Sequence, residues 1–431
     1  MSNIKDLLPE LRFPDFKSST GWNTPLFRDV YTFKVTNSFS RDKLNYIVGE
    51  VKNIHYGDIH TKFATLFDIE KENVPFINIE EKISNIKDEN YCEEGDMVFA
   101  DASEDMDDIG KSIEIINLNN EKLLSGLHTL LARPKKKLAK GFAGYLFKSN
   151  SIRKQIKKEA QGAKVLGLSS TRLSNIKLTV PSDKKEQQKI ANCLTSIDEL
   201  IGTEGQKLDA LKRHKKGLMQ QLFPAEGQTR PALRFPEFES SRGWNPETIK
   251  SICSDIFSGG TPTSTESKYY GGDIPFIRSA EISKNYTELF LSYLGLSNSS
   301  AKMVEKGDVL VALYGANSGD VAISNIDGAI NQAILCLKSI GNEQFIYQFL
   351  SHKKSWIVST YIQGGQGNLS GEIVKSIKIY IPKNESEKQK ISNILNTLDQ
   401  IIDLQTEKVA ILKDHKKGLM QQLFPSDNIG K

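Results

Sequence analysis

Side chains able to do chemistry are plentiful in this chain of 431 residues, but few stand at the spacings that chemistry requires. Gly110-Lys111-Ser112 matches the end of a phosphate-binding loop. The GxxxxGK[ST] pattern, however, needs a glycine where Asp105 stands. Asp101, Ser103, Asp105 and Asp107 alternate as in a calcium loop, yet the sharp-turn position holds Met106 and the bidentate position holds Ser112. His55, Asp58 and His60 lie close enough to serve a metal and suit a polar loop or a nucleic-acid contact better. Cys92, Cys193, Cys253 and Cys336 form no CxxC pair and read as reduced thiols. No GxSxG elbow, HExxH helix or Asn/Asp-Pro-Pro-aromatic tetrapeptide occurs. The expectation is a protein with no catalytic residues, metal or cofactor of its own.

Recognition chemistry is better represented. Asparagine, glutamine, arginine and lysine read base edges, and hydroxyls, lysines and backbone amides grip phosphates. Loops rich in glycine, serine, threonine and asparagine allow the close backbone approach this needs. They include Gly259-Gly-Thr-Pro262, Gly271-Gly-Asp273, Gly315-Ala-Asn-Ser-Gly319 and Gly364-Gly-Gln-Gly-Asn368. The candidate DNA-contacting residues are His60, Lys62, Asn78, Lys82, Arg153 and Lys157 in the first half of the chain. In the second half they are Arg278, Ser279, Lys302, Tyr314, Asn317, Asn331, Gln332 and Asn368.

The net charge of +4 neither requires nor excludes a nucleic-acid partner, since binding depends on a local basic surface. Runs such as Arg133-Pro-Lys-Lys-Lys137, Arg153-Lys-Gln-Ile-Lys-Lys158 and Lys353-Lys354 supply local charge. A content of 38% hydrophobic and 26% charged residues reads as globular, and the length suggests two or three domains. No apolar run approaches the roughly 20 residues of a bilayer span. No secretory signal is evident at the N-terminus, so a cytoplasmic location without membrane contact is expected.

The elements that must position these residues are written twice. HKKGLMQQLFP runs from His214 to Pro224 and returns unchanged from His415 to Pro425. Leu11-Arg-Phe-Pro-Asp-Phe16 with Gly21-Trp22 returns as Leu233-Arg-Phe-Pro-Glu-Phe238 with Gly243-Trp244. Between these landmarks the halves diverge. Variable and fixed segments therefore alternate, and the fixed ones are expected to share a partner.

Through and upstream of each HKKGLMQQLFP the apolar residues keep alternating steps of four and three, once Glu204 and Lys215, and Gln405 and Lys416, fill the gaps. They fall at Ile190, Leu194, Ile197, Ile201, Leu208, Leu211, Leu218 and Leu222, and at Ile391, Leu395, Leu398, Ile402, Val409, Leu412, Leu419 and Leu423. This is a heptad seam, and it predicts helices from about Asp183 to Leu222 and from about Glu385 to Leu423. Pro224 and Pro425 stop them. Gly202, Gly205 and Gly217 weaken the first helix by up to about 1 kcal/mol each relative to alanine. Two matched helices are expected to pair antiparallel, with Glu204 and Gln405 near one another and with Lys215 and Lys416 reaching out to solvent. A helix of ~36 residues is a rod of ~54 Å, long enough to separate two reading faces by one turn of B-DNA, ~34–36 Å.

The variable segments read as mixed α and β. Strands are expected at Met97–Ala100, Ile113–Ile116, Val309–Tyr314 and Ile377–Ile381. Helices are expected around Gly144–Ala160 and Gln344–Tyr361.

The LRFPDF and LRFPEF openings, the two HKKGLMQQLFP endings and the alternation of variable with fixed segments resemble the specificity subunit of type I restriction-modification systems, over nearly the whole chain. The resemblance implies an α+β fold. Two mixed α/β target-recognition domains in a pseudo-two-fold arrangement would be separated by two long antiparallel coiled-coil helices. The corresponding boundaries are 1–182, with the first helix at 183–223, then 224–382, with the second helix at 383–425, and a tail at 426–431. It implies a non-catalytic subunit that recognises a bipartite, asymmetric double-stranded DNA site. That subunit would direct two adenine methyltransferase (modification) subunits and the restriction subunits to the site. S-adenosylmethionine, ATP and magnesium would reside on those partners. Docking surfaces for the modification subunits are expected around His214, Lys215, Lys216, Gln220 and Gln221, and around His415, Lys416, Lys417, Gln421 and Gln422. The alternative is a coiled-coil scaffold without sequence-specific DNA binding.

Overall fold

A computed structural model describes residues 7–361 and 368–426. The chain forms two compact units. The first comprises Met1–Gly205 with Lys408–Lys431, and the second comprises Gln206–Glu407.

In the first unit the main sheet has five strands, in the order Tyr31–Lys34, Thr129–Pro134, Met97–Ala100, Ser112–Asn117 and Leu66–Asp68. Its neighbours pair antiparallel except the last two, which are parallel. Met97–Ala100 is buried along its whole length because the sheet is covered on both faces. Successive side chains point to opposite faces. Met97 and Phe99 accordingly join Phe27, Phe142 and Phe147 in one cluster. Val98 and Ala100 join Phe67, Ile113 and Ile115 in another. A smaller sheet of Leu44–Asn45, Phe76–Ile77, Val51–Ile54 and Lys122–Ser125 completes the variable region.

The helix expected around Gly144–Ala160 is broken in two, Phe142–Leu146 and Asn150–Glu159. Ser149 takes an extended backbone, and its Oγ donates to the Leu146 carbonyl at 2.6 Å, which closes the first piece before the second begins.

The second unit repeats the plan with different parts. Asp255–Ser258, Ile334–Lys338, Val309–Ala312 and Val321–Ile323 form an antiparallel sheet. Here too the faces alternate. Val309, Val311, Leu335 and Leu337 enter one core cluster, and Leu310, Ala312, Ile334 and Cys336 enter the other. A second sheet holds Phe290–Leu291, Tyr270–Ile277, Gly328–Ile330 and Lys302–Val304. The helix Glu343–Tyr361 matches its expected span within a residue at its start.

The long helices run Lys184–Leu222 and Glu385–Leu423. Asp183 Oδ1 accepts from the Lys185 amide at 2.8 Å, and Asn384 Oδ1 accepts from the Ser386 amide at 2.9 Å. Each start is thus capped by a side chain that occupies an orphan donor of the first turn. Within the first unit, Lys408 pairs with Glu204 at 2.5 Å and Lys416 with Asp198 at 2.5 Å, so rising numbers on one helix meet falling numbers on the other. Lys215 pairs with Asp399 inside the second unit. The helices are antiparallel. Lys215 and Lys416 do not reach out to solvent as expected. Each turns inward, where an aspartate on the facing helix and a tyrosine ring, Tyr347 or Tyr145, receive its charge.

The repeated opening segments are internal clasps. In the first unit Arg12 donates to both carboxylate oxygens of Glu186, at 2.7 and 2.8 Å, and to the Ser19 carbonyl, while Trp22 Nε1 donates to Glu186 at 3.2 Å. The Leu11 amide donates to the Gln422 carbonyl at the end of the second long helix. In the second unit Arg234, Glu387 and Trp244 repeat the arrangement, and Leu233 donates to the Gln221 carbonyl. Trp22 also packs edge-on against Phe424, and Trp244 against Phe223. A shared partner was expected to explain the fixed segments. For the LRFP and Gly-Trp segments the clasp explains the repetition without one.

Candidate nucleic-acid interface

In the first unit several candidates converge on the small sheet. Lys62, exposed at the end of the short helix Tyr56–Thr61, donates to the Tyr46 hydroxyl at 3.0 Å and pairs with Asp58 at 3.0 Å. Arg41 pairs with the other Asp58 oxygen at 2.7 Å. Burial opposes ionisation of Asp58, but hydrogen bonds from Arg41 and Lys62 outweigh it and hold its pKa below the usual carboxylate value. Burial and the Arg41 charge push His55 below its ordinary value. Asn78 Oδ1 accepts from Asn45 at 2.9 Å, and Asn78 Nδ2 donates to the Asp42 carbonyl at 3.2 Å. Lys82 stands exposed on the loop that follows. Between these groups the turn Tyr46-Ile47-Val48 projects, with Ile47 89% exposed. Arg41, Tyr46 and Ile47 were missed by sequence reasoning. The apolar run Tyr46-Ile47-Val48 just ahead of Gly49 was the available signal.

His60 is half-buried, and its Nε2 meets the Ala102 carbonyl at 3.0 Å, so it supports the surface from beneath. His55, Asp58 and His60 are therefore engaged separately, with Gly57, with two cations and with Ala102. Among the described residues no group of three or more such side chains could hold a metal ion. Arg153 and Lys157 stand apart on the helix Asn150–Glu159, Arg153 bonded to the Asp107 and Ile109 carbonyls and Lys157 to Asp107.

In the second unit the candidates form two groups. Ile277 pairs with Ile330, and Ile330 with Lys302, which sets Arg278 and Asn331 at one end of the second sheet beside Lys302. Arg278 binds Glu281 at 2.8 Å and Glu288 at 2.5 Å, and these hydrogen bonds raise its pKa further. Ser279 opens the turn beneath it. The Leu313 amide donates to the Ala333 carbonyl, and the Leu369 amide donates to the Leu313 carbonyl, so the loops carrying Tyr314, Gln332 and Asn368 lie side by side. Thr261 donates to Gln332 at 2.6 Å and brings the Gly259–Pro262 loop to the same place. Asn317 lies half-buried in the turn Gly315–Asn317. Of Gly364-Gly-Gln-Gly-Asn368, only Asn368 falls among the described residues, and it is exposed.

On the helices His214, Lys216, Gln220 and Gln221, and likewise His415, Lys417, Gln421 and Gln422, are exposed. The other face of each HKKGLMQQLFP segment is core, with Leu222 and Phe223, and Leu423 and Phe424, fully buried.

A head of two sheets with polar, cationic loops, clasped to a long helix and then built again from different strands, defines a class of duplicated recognition protein. The chain belongs to the family of the type I restriction modification DNA specificity domain, whose model matches residues 45–213 and again residues 241–413. It is 28% identical over 408 residues to a protein described as the type I restriction enzyme MjaX specificity subunit of Methanocaldococcus jannaschii, covering 90% of this chain and 89% of that one. The MjaVIII specificity subunit of the same organism is 24% identical over 295 residues, 65% of this chain and 69% of the relative. Among solved structures, the S subunit of a type I restriction-modification system from M. genitalium shares the fold with a TM-score of 0.63 and 15% identity, over 97% of this chain and 99% of that one. A structure from a study of type I R-M complex assembly and conformational transition reaches 0.55 with 16% identity, over 94% and 98%. The family's role is DNA specificity, and the chain is a non-catalytic component. No helix among the described residues is long and apolar enough to cross a membrane.

Proposed function

We propose that the chain recognises a bipartite, asymmetric double-stranded DNA site, each unit reading one half-site, and brings partner methyltransferase and restriction subunits to it. The observation that carries this reading is the contrast between frame and heads. Both units use one clasp, Arg12–Glu186–Trp22 and Arg234–Glu387–Trp244, on equivalent helices. Upon it they mount a mixed five-stranded sheet in one unit and an antiparallel four-stranded sheet in the other. Equal frames suit two copies of one partner, and unequal heads suit unequal half-sites. Base contacts would come from Asn78 on the small-sheet surface, where Lys62 would hold a backbone phosphate, and from the loops of Tyr314, Gln332 and Asn368. The antiparallel helices would set the gap, and their exposed His214–Gln221 and His415–Gln422 faces would receive two modification subunits. S-adenosylmethionine, ATP and magnesium would be held by the partners. The test is methylation mapping in cells that carry this gene with its partners. Replacing residues 21–182 by another variable region should change one half-site and leave the other intact. Loss or change of both half-sites together would overturn modular reading. Binding without preference between a mapped site and a scrambled duplex would favour a scaffold.

A further inference from the structure

Gly110-Lys111-Ser112 leads into the strand Ser112–Asn117, not into a helix, so it builds no nucleotide-type phosphate loop. It nevertheless borders a cleft of about 270 Å³ in the first unit, lined by Lys111, Ser112, Lys148 and Arg153, by Phe147, and by Asp107 and Asp108. Two residues lining this cleft each carry a buried atom with no hydrogen-bond partner among the described residues, Ser112 Oγ and Arg153 Nη1. Ser112 is 2% exposed. A buried donor left unpaired is destabilising, so two on residues that line one cleft call for an acceptor.

The remaining lining says which kind. Lys148 donates to Thr65 and has no carboxylate within ion-pair distance among the described residues. Lys111 donates to the His60 carbonyl at 2.6 Å and lies 3.5 Å from Asp108. Asp107 is paired with Lys157. Lys148 also lines a neighbouring cleft with Lys413, Lys416 and Lys417 of the second long helix, so cations crowd it from both sides. Burial and the charges of Lys416, Lys111 and Arg153 bring its pKa down to about 8, against the opposing pull of Asp198. An anion would relieve that crowding. Gly110 directly precedes the lining residues Lys111 and Ser112 and is itself closely packed. Its φ is +63°, and a Cβ there would lie 2.6 Å from Ile156 Cγ2 and 2.9 Å from Leu168 Cδ2. At the corresponding position the second unit has no cation. Three residues beyond Tyr145 stands Lys148, whereas three beyond Tyr347 stands the buried Leu350.

The geometry points to a binding site for a phosphoryl oxyanion, held by Lys111, Ser112, Lys148 and Arg153, in the first unit. The oxyanion belongs either to a backbone phosphate of bound duplex or to a free phosphate compound. The site does not depend on which half-site the unit reads.

The test titrates the full chain with sodium sulfate against sodium chloride at matched ionic strength by calorimetry, and then with mixed-sequence duplex by fluorescence anisotropy. Wild type, Lys148→Met and Ser112→Ala are compared, with circular-dichroism melts to establish folding; should Lys148→Met not fold, Ser112→Ala decides. Saturable sulfate binding that falls tenfold or more in Lys148→Met and threefold or more in Ser112→Ala supports the site. If Lys148→Met also weakens duplex of every sequence, with a salt slope smaller by about one, the anion is a backbone phosphate. If duplex affinity is unchanged while sulfate binding is lost, the anion is a free phosphate compound. Sulfate binding that is absent in wild type, or equal in folded variants, means the cleft holds only water and overturns the proposal. That result would leave duplex recognition itself intact and separately measurable.

Discussion

Lys416 donates to both carboxylate oxygens of Asp198, at 2.5 and 2.7 Å, from the far end of the second long helix to the near end of the first. The Tyr145 hydroxyl donates to the same carboxylate at 2.9 Å, and the Lys416 ammonium lies 5.4 Å above the Tyr145 ring. The pair is partly screened, with side-chain exposures of 23% and 34%. Lys416→Met should lower stability by about 1–2 kcal/mol in denaturant titration, less at high salt. A double-mutant cycle with Asp198→Asn should show a coupling of about 1 kcal/mol. Strict additivity would mean that the helices are registered by their apolar seam alone.

The clasp at Arg12 and Glu186 is a different case, because their side chains are only 8% and 2% exposed. Removing one partner strands a buried charge, which typically costs about 3–5 kcal/mol. Arg12→Met and, independently, Arg234→Met should each lose about 3 kcal/mol, and hydrogen exchange should rise in the unit that carries the change. Protection lost evenly over the chain would contradict two separate clasps.

These two contacts also mark how far the sequence alone could be read. The heptad spacing of Ile190 to Leu222 was enough to place the first long helix to within a residue, because a period of 3.5 can be satisfied only by a helix with a partner. The continuous burial of Met97–Ala100 and Val309–Ala312 was likewise legible from their apolar runs. The clasp was not, since Arg12 and Glu186 stand 174 residues apart and neither position is apolar. Nor was the inward turn of Lys215, which needs Asp399 and Tyr347 to be in place first. The recognition surfaces were found as loops, but which loops adjoin depends on pairings such as Leu313 with Ala333 and Leu369, and those are fixed only by the folded sheet.

The two surfaces make different demands on DNA. Lys62 offers charge, whereas Gln332 offers an amide at a loop junction. Lys62→Ala should weaken all duplexes about equally and reduce the salt slope by about one. Gln332→Ala should cost about 1–3 kcal/mol at the second half-site and relax base choice there only. Binding measured over substituted duplexes separates the two. A change of base preference from Lys62→Ala would move that residue from phosphate to base.

Gly217 and Gly418 occupy the same place in the two HKKGLMQQLFP segments, inside helices where alanine would be favoured by about 1 kcal/mol. A Cβ at either would meet nothing within 4 Å, so the fold of the chain itself does not need glycine there. Gly217→Ala and Gly418→Ala should therefore stabilise the isolated chain by about 0.4–1 kcal/mol each. If the proposed modification subunits pack closely on these turns, the same changes should weaken assembly by size-exclusion titration. Stabilisation with unaltered assembly would place the docking surface elsewhere.

His352 gives the acid behaviour of the second unit a specific source. It stacks on Phe223 at 5.7 Å, and burial, with the neighbouring Lys353 charge, pushes its pKa down to about 4 from an ordinary value of 6.5. The unfolded chain then takes up a proton at a pH where the folded chain does not. Stability from this group is complete above about pH 6.5, declines as the pH falls, and is lost once it passes about 4. Between those values the melting temperature of wild type should drop more than that of His352→Phe, which keeps the stack but cannot titrate. Melting curves whose pH dependence is parallel over that window would show that His352 is as easily protonated in the fold as outside it, and that the Phe223 stack does not exclude the charged ring.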